Sequence, residues 1–390
     1  MITIIVTVII FLVLIALHEF GHFIMAKLSG VFVHEFSIGM GPAIFKKQGK
    51  ETLYTIRLLP IGGYCKLEGE DEESDNKRAF CNQKLYKRIL VVISGALFNI
   101  ILGFLLFILI TAVMPRSTGE KNMIVTPVIE SVVKNSHLEK AGVMPGDEIV
   151  KINSHKIHFY EDIALYTNEF KENEPIEIVV KRDNKKYSYT ILPTVNEIIY
   201  NYKPEHVEVI TKINEEQSVE ILEYNKDFQE EINKLIGKTQ NEKRLILGFR
   251  PKSEEAGFFN TIKYAYHMTG YVVRMVYKAF WDMLTLKTGL EQLSGPVGIV
   301  GAVNDAVNTG AYSLVNVLFL MAVITINLGV FNLLPIPALD GARLVFLIIE
   351  LITRKKISAQ KEGMIHTIGL ILLLLLGVFI AYSDVMKMIR

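Results

Sequence analysis

The stretch Leu14–Lys27, LIALHEFGHFIMAK, decides the fold class because it places ionisable side chains inside a segment that is otherwise apolar. No charged side chain precedes His18 in the run that begins at Met1. Such a run predicts a membrane-spanning helix, which needs about 20 mainly apolar residues. An ionisable residue at the middle of a membrane helix costs about 2.5–3.5 kcal/mol and usually faces a cavity or a partner. We therefore expect His18, Glu19 and His22 to have a compensating partner inside the membrane.

The composition indicates that other parts of the chain also span a membrane. Half of the 390 residues are hydrophobic, the mean hydropathy is +0.31, and the apolar residues are concentrated in blocks. Four blocks are long enough to cross a bilayer, at about 2–27, 89–114, 313–336 and 364–382. A net charge of +1 gives no reason to expect a nucleic-acid partner. The sequence thus predicts a polytopic α-helical membrane protein with about four transmembrane helices in a lipid bilayer.

The distribution of basic residues orients these spans. Lysines and arginines are frequent between the first two blocks and between the last two, whereas the C-terminal tail holds only Lys387 and Arg390. Short loops rich in basic residues stay in the cytoplasm. We therefore expect a multi-pass protein of the cytoplasmic (inner) membrane, with both termini and the long segment 115–312 extracytoplasmic.

The spacing of the polar cluster indicates metal chemistry. His18 and His22 are four residues apart, so on a helix both imidazoles project from one face, with Glu19 about 100° around. In the H-E-x-x-H arrangement two histidines bind zinc and the glutamate acts as general base on a water activated by the metal. A polar cluster at an interfacial helix end is the simpler alternative, but it offers no compensation for burying three ionisable groups.

A catalytic zinc site needs a third protein ligand, and residues 327–346, NLGVFNLLPIPALDGARLVF, offer one. Pro335 and Pro337 interrupt the helix, and a break at membrane depth is tolerated where the backbone is buried or lines a cavity. Alone, the following Asp340-Gly341 pair indicates a turn or a helix N-cap. The predicted topology, however, places Asp340 on the same side of the membrane as His18, which favours a role as ligand.

The two motifs together resemble those of the site-2 protease family of intramembrane zinc metalloproteases. The pattern H-E-F-G-H lies in a first span and N-L-L-P-I-P-A-L-D-G at the end of a late one. One position departs from the usual pattern, since Ala342 stands where the family has a second glycine. The resemblance implies a Zn²⁺ cofactor and these roles: His18, His22 and Asp340 as metal ligands, Glu19 as catalytic base, and Asn332 as a group that stabilises the tetrahedral intermediate or positions the substrate backbone.

The extracytoplasmic segment carries a second resemblance. Residues 136–157, SHLEKAGVMPGDEIVKINSHKI, resemble the core of a PDZ domain, a module that binds extended peptides at a sheet edge. A β-rich domain without a peptide ligand is the alternative. Residues 197–243 are charged and are interpreted as a solvated α/β insertion, and 244–251 as the strand that closes the domain. The regulator-of-sigma-E protease branch of the family has PDZ modules at this position, which implies a size filter for trimmed substrates.

Several smaller segments complete the prediction. Residues 61–71 resemble the membrane-associated hairpin of the family, although a simple turn fits as well. The amphipathic stretch 261–286 predicts an interfacial helix, and 294–300 resembles a family element that precedes span three. Asn99, inside span two, either bridges helices or faces the active site, and His366 is interpreted as an interfacial or packing residue. The two cysteines are too few for a disulfide framework and are expected to be reduced thiols.

We therefore expect an intramembrane zinc endopeptidase that cleaves single-span membrane proteins within or next to the transmembrane segment, after their outer domain has been trimmed. Anti-sigma factors and remnant signal peptides are the substrates that the resemblance implies. A membrane-anchored PDZ adaptor with a structural metal site and a membrane zinc hydrolase acting on lipid are the alternatives. The expected domains are an N-terminal membrane region at 1–114, the PDZ-like domain at 115–260, an interfacial helix and connector at 261–312, and a C-terminal membrane region at 313–390.

Overall fold

A computed structural model describes residues 2–70, 72–113, 123–167, 169–213, 216–223, 235–285, 295–308 and 313–389. The chain divides into two compact units, one formed by Met1–Pro115 with Met268–Arg390 and the other by Arg116–His267. The first is mainly helical and the second mainly β, so the predicted fold class, a polytopic helical protein with an inserted β-rich domain, is confirmed. Parts of the predicted connector, at 286–294 and 309–312, lie outside the described residues.

The helices of the described residues include four that are long and apolar enough to cross a membrane, as predicted. These candidate spans are Ile2–Ser29, Leu85–Ala112, Ser313–Asn332 and Lys361–Asp384. The helices are α1 (Ile2–Ser29), α2 (Leu85–Val113), α3 (His137–Lys140), α4 (Tyr160–Thr167), α5 (Phe258–Leu284), α6 (Pro296–Val307), α7 (Ser313–Asn332), α8 (Asp340–Thr353) and α9 (Ala359–Ile389).

The prolines shorten the third span relative to the prediction. We expected it to continue to residue 336, but α7 ends at Asn332, because Pro335 cannot donate a helical hydrogen bond and disfavours helix in the residue before it. The chain then resumes as a helix, α8, which begins at Asp340. This helix occupies a segment that we had predicted to be only a connecting loop.

Small residues allow the membrane helices to approach one another closely. A Cβ atom on Gly21 of α1 would lie 2.6 Å from the Ser94 carbonyl oxygen of α2, and one on Gly329 of α7 would lie 2.7 Å from the Ala96 carbonyl oxygen. Close backbone approach through glycine is a common basis of helix packing in membranes. Of the four candidate spans α2 is the most buried, 44% of its most apolar window against 6% in the fourth. It is therefore the central helix of the membrane unit.

The segment between the first two spans forms a long β-hairpin rather than a simple turn. Strands β1 (Val33–Gln48) and β2 (Leu53–Leu67) are antiparallel and joined at residues 49–52. Both strands bend, so that Phe36 lies opposite Tyr54 in the first half of β2 and opposite Cys65 in the second half. Among the described strands, residues 63–67 pair only with β1, and their other edge is left open.

The β-rich unit begins with one antiparallel sheet that packs over an apolar core. Its sheet has the order β12-β3-β4-β6-β7, with β5 paired to β4. Apolar residues from the sheet and from α3 and α4 form the core, which includes Ile129, Leu138, Ile149, Ile152 and Ile178. The strands are β3 (Met123–Val132), β4 (Glu148–Ile152), β5 (His155–Lys156), β6 (Ile176–Arg182), β7 (Lys185–Ile191) and β12 (Phe249–Glu255).

The segment interpreted as an α/β insertion forms a second sheet in the described residues. Its strands are β8 (Thr194–Tyr202), β9 (His206–Ile213), β10 (Glu216–Glu223) and β11 (Thr239–Ile246), in the order β10-β9-β8-β11. The predicted single closing strand at 244–251 is divided: its first part ends β11 and its last part begins β12 in the other sheet. Gly248, with a φ of +85°, lies at the junction, where a left-handed conformation favours glycine.

Candidate metal centre

Three predicted ligand residues meet within the membrane unit. His18 and His22 lie one turn apart on α1, and Asp340 is the first residue of α8. The two histidine Nε2 atoms are 3.2 Å apart. Each of them is also 3.2 Å from Asp340 Oδ2. The structure thus brings together residues that are more than 300 positions apart in the sequence.

The triangle of ligand atoms has the dimensions of a zinc site. With ligands about 2.0–2.1 Å from a tetrahedral zinc ion, neighbouring ligand atoms are about 3.3–3.4 Å apart, close to the 3.2 Å edges observed. Two imidazoles and one carboxylate are a ligand set typical of catalytic zinc, which keeps a fourth position for water or substrate. Among the described residues this is the group whose donor atoms converge closely enough to hold a metal ion. The residues present therefore fit zinc.

The loop before α8 fixes the position of Asp340. A Cβ atom on the following residue, Gly341, would lie 2.0 Å from the Leu334 carbonyl oxygen, so only glycine fits there. Ala338 has a φ of +78°, a left-handed conformation that is costly for a residue with a Cβ atom. Its N–H donates to His366 Nδ1 on α9 at 3.1 Å. His366 therefore packs against the loop that presents Asp340, a more specific contact than the sequence indicated.

Helix α2 packs against the two histidines of α1. His22 Nδ1 is 2.8 Å from the Val91 carbonyl oxygen, which can only accept, so this nitrogen carries the proton and Nε2 is left free to bind a metal. A Cβ atom on Gly95 would lie 2.3 Å from His22 Nε2. Sequence reasoning missed both contacts. The only signal was the pair of small residues, Ser94 and Gly95, in the second span.

The proposed catalytic residues are placed differently. Glu19 lines the same cavity as the histidines and as Cys65 of β2. The Cγ atom of Glu19 also approaches Gly63, where an added Cβ would be 3.3 Å away. Asn332, by contrast, is the half-buried last residue of α7 and is not among the described residues that line this cavity.

The cavity joins the ligand residues to the open strand edge. It has a volume of about 810 Å³, and Tyr64, Cys65, Lys66 and Leu67 of β2 form one of its walls. An open edge presents unpaired backbone N–H and C=O groups to any strand that approaches it. The cavity therefore places a template for an extended peptide beside the candidate metal ligands.

Two titratable groups outside the spans agree with an oxygen and nitrogen ligand set. Burial raises the pKa of the Asp340 carboxyl, but hydrogen bonds from His18 and His22 lower it further, so it lies below its usual range and the group is ionised. Burial, followed by the charges of Glu19 and Glu70, raises the pKa of the Cys65 thiol. Cys65 is also not in the group of described residues whose donor atoms converge closely enough to hold a metal ion.

Comparison with known proteins places the chain among zinc peptidases. Residues 6–376 match the model of peptidase family M50. A protein of Clostridium acetobutylicum named "Putative zinc metalloprotease" is 34% identical over 383 residues, 98% of this chain and 97% of that protein. Proteins of the same name from Clostridium perfringens and Fusobacterium nucleatum are 32% and 29% identical, and the alignments cover at least 96% of each chain.

Proposed function

This chain belongs to peptidase family M50 and is a zinc metalloprotease of the membrane; we propose that it cleaves single-span membrane proteins within or next to their transmembrane segment. The observation that carries the proposal is the 3.2 Å triangle of ligand atoms, in a cavity that also contains Glu19 and an open strand edge. In this proposal the substrate's outer domain has already been removed by another protease.

The proposed roles of the site residues rest on the resemblance of the two motifs and are supported by the convergence of the three ligand residues. His18, His22 and Asp340 hold the zinc ion. When bound, zinc polarises the scissile carbonyl and makes a water molecule acidic enough to lose a proton near neutral pH. Glu19 accepts that proton as the water attacks and delivers it to the leaving amide nitrogen. The resemblance gives Asn332, at the end of α7, a role in stabilising the tetrahedral intermediate or positioning the substrate backbone.

In this proposal the open edge of the hairpin binds the substrate in an extended conformation, which a helical substrate must adopt before it is cleaved. Carbonyl groups in a transmembrane helix are engaged in hydrogen bonds, and breaking these bonds in lipid is costly. A substrate that unwinds beside residues 63–67 regains backbone hydrogen bonds by adding a strand to the sheet. The same pairing lays the extended chain along the wall of the cavity that contains Glu19.

The cellular setting follows from the charge distribution. The protein is a multi-pass membrane protein with four candidate spans. Basic residues are frequent in the segments 30–84 and 333–360, so we assign both to the cytoplasm, and both termini and the β-rich unit to the outer side of the cytoplasmic membrane. The β-rich unit then acts as a size filter, and the natural substrates are trimmed anti-sigma factors or remnant signal peptides.

A cleavage assay tests the proposal. The purified protein and its Glu19→Gln variant, both loaded with zinc in detergent, are incubated with a single-span protein that lacks its outer domain, and the products are mapped by mass spectrometry. We expect cuts within or next to the apolar segment by the wild type only, and slower cutting when the outer domain is present. Equal cutting by both forms, or cutting only in soluble regions, would overturn the proposal.

A further inference from the structure

Asn99 is a polar side chain placed deep in the central helix α2. It is 0% exposed, and its Oδ1 atom has no hydrogen-bond partner among the described residues. Its Nδ2 atom is 3.4 Å from Nδ1 of His18. A buried amide in a membrane span is expected to have a partner, because an unsatisfied polar group in a dry environment is costly. The contact with His18 therefore indicates the role of the Asn99 side chain.

The ring of His18 decides which amide atom must face it. His18 Nε2 is the atom that lies 3.2 Å from both Asp340 Oδ2 and His22 Nε2. A neutral imidazole that binds a metal through Nε2 carries its proton on Nδ1 and donates from there. The facing group must then be an acceptor. Turning the amide of Asn99 by 180° exchanges its oxygen and nitrogen without a change in shape, and it gives the unpaired Oδ1 a donor.

We propose that Asn99 is a positioning residue whose Oδ1 accepts the Nδ1–H of His18 and holds Nε2 toward the metal. This inference rests on the proposed role of His18 as a zinc ligand. Val91, eight residues earlier, gives His22 the equivalent acceptor through its carbonyl oxygen. Residues four and eight positions apart lie on one face of a helix, so Val91, Gly95 and Asn99 form a single template that orients both histidines.

The backbone around Asn99 is itself held in place. Its carbonyl oxygen accepts a hydrogen bond from the Thr325 hydroxyl of α7 at 3.2 Å, and Thr325 is 0% exposed. On the opposite helix, a Cβ on Gly329 would lie 3.2 Å from the Asn99 Cβ. Thr325 and Gly329 are therefore both part of the α2–α7 packing around the backbone of Asn99. Thr325 also provides a matched control, because it touches Asn99 without touching either histidine nitrogen.

Zinc affinity of the full-length protein, measured by competition with a chelator, tests the inference. Asn99→Leu removes the acceptor at similar volume and is expected to bind zinc 10–100-fold more weakly, the usual effect of losing an outer-shell partner. Asn99→Asp keeps an acceptor and is expected to stay within about threefold of the wild type. Thr325→Val, which perturbs only the helix contact, is expected to leave zinc affinity unchanged. If Asn99→Leu does not fold, Asn99→Ala takes its place.

The outcomes separate this inference from the proposed function. If Asn99→Leu binds zinc as tightly as the wild type, or if Asn99→Asp is as weak as Asn99→Leu, the acceptor role is wrong. If Thr325→Val is equally weak, Asn99 acts through helix packing and the inference is also wrong. If His18→Ala retains wild-type zinc affinity, the proposed ligand set itself fails, whatever the Asn99 variants do.

Discussion

Replacing Gly95 with alanine tests whether α2 determines the position of the metal ligands. The added Cβ atom would lie 2.3 Å from His22 Nε2 and 2.8 Å from His18 Cε1. Since ordinary contacts begin near 3.4 Å, the His22 ring must move by about 1 Å. It cannot turn away freely, because its Nδ1 is hydrogen-bonded to the Val91 carbonyl oxygen at 2.8 Å.

The size of this displacement determines the expected loss. Metal–ligand distances are tolerated within about 0.2 Å, so a shift of about 1 Å removes His22 from the ligand set. Loss of a ligand costs more than the 10–100-fold that follows from removing an outer-shell partner. We expect Gly95→Ala to bind zinc more than about 100-fold more weakly than the wild type, as measured by chelator competition, and to lose protease activity in parallel.

Gly103→Ala is the matched control on the same helix. Its Cβ would come equally close, 2.3 Å, but to the Cγ1 atom of Ile326 on α7, and Gly103 lies about two turns of α2 away from Gly95. We expect this variant to melt at a lower temperature while it keeps wild-type zinc affinity. Wild-type zinc affinity in Gly95→Ala, or an equal loss in Gly103→Ala, would refute the reasoning.

Three other substitutions test contacts outside the histidine pair. Burial raises the pKa of Asp147, but the Arg182 guanidinium lowers it further, below its usual range. The stability from this pair is therefore present above about pH 4 and is lost as the pH falls through the lower folded-state pKa. Asp147→Asn should lower the free energy of unfolding at neutral pH and flatten its acid dependence, seen as faster hydrogen exchange in residues 143–152; an unchanged acid profile would contradict this. Gly341→Ala would place a Cβ 2.0 Å from a backbone carbonyl oxygen, so we expect little bound zinc by metal analysis, and a fully loaded variant would count against it. Arg88→Met alone should lower the melting temperature more than the double variant with Glu350→Met, because the single change leaves a buried carboxylate unpaired; equal effects would show that the pair is not buried in solution.

The sequence predicted those parts of the site that local periodicity and topology control. His18 and His22 share a helix face because they are four residues apart. Asp340 was placed beside them only because the number of membrane crossings puts all three residues on the same side. Both arguments use information that the sequence carries directly: the spacing of residues along a helix and the hydropathy of the spans.

The contacts between α2 and the histidines depend on the rotation of one helix against another, which the spacing of residues in the sequence does not specify. Val91, Gly95 and Asn99 face the histidines only because α2 has a particular rotation against α1, and Asn99 was left between two roles for this reason. The sequence predicts a loop after Asp340, where the structure has a helix, because two prolines just upstream obscure the start of that helix. The segment 197–243 is interpreted from its sequence as a mixed insertion because charged residues are frequent throughout it. Its strands β8 and β9 are largely half-buried, and alternation marks a strand most clearly where one face is fully buried.

The metal content and coordination of the purified wild-type protein test the central claim most directly. We expect stoichiometric zinc in metal analysis, and an X-ray absorption spectrum that shows two imidazole ligands, oxygen or nitrogen donors at the other positions, and no sulfur. Asp340→Asn and His22→Ala should each lose most of this zinc, whereas Glu19→Gln should keep it. A protein without stoichiometric zinc, or one whose zinc survives the loss of His22 or Asp340, would contradict the account.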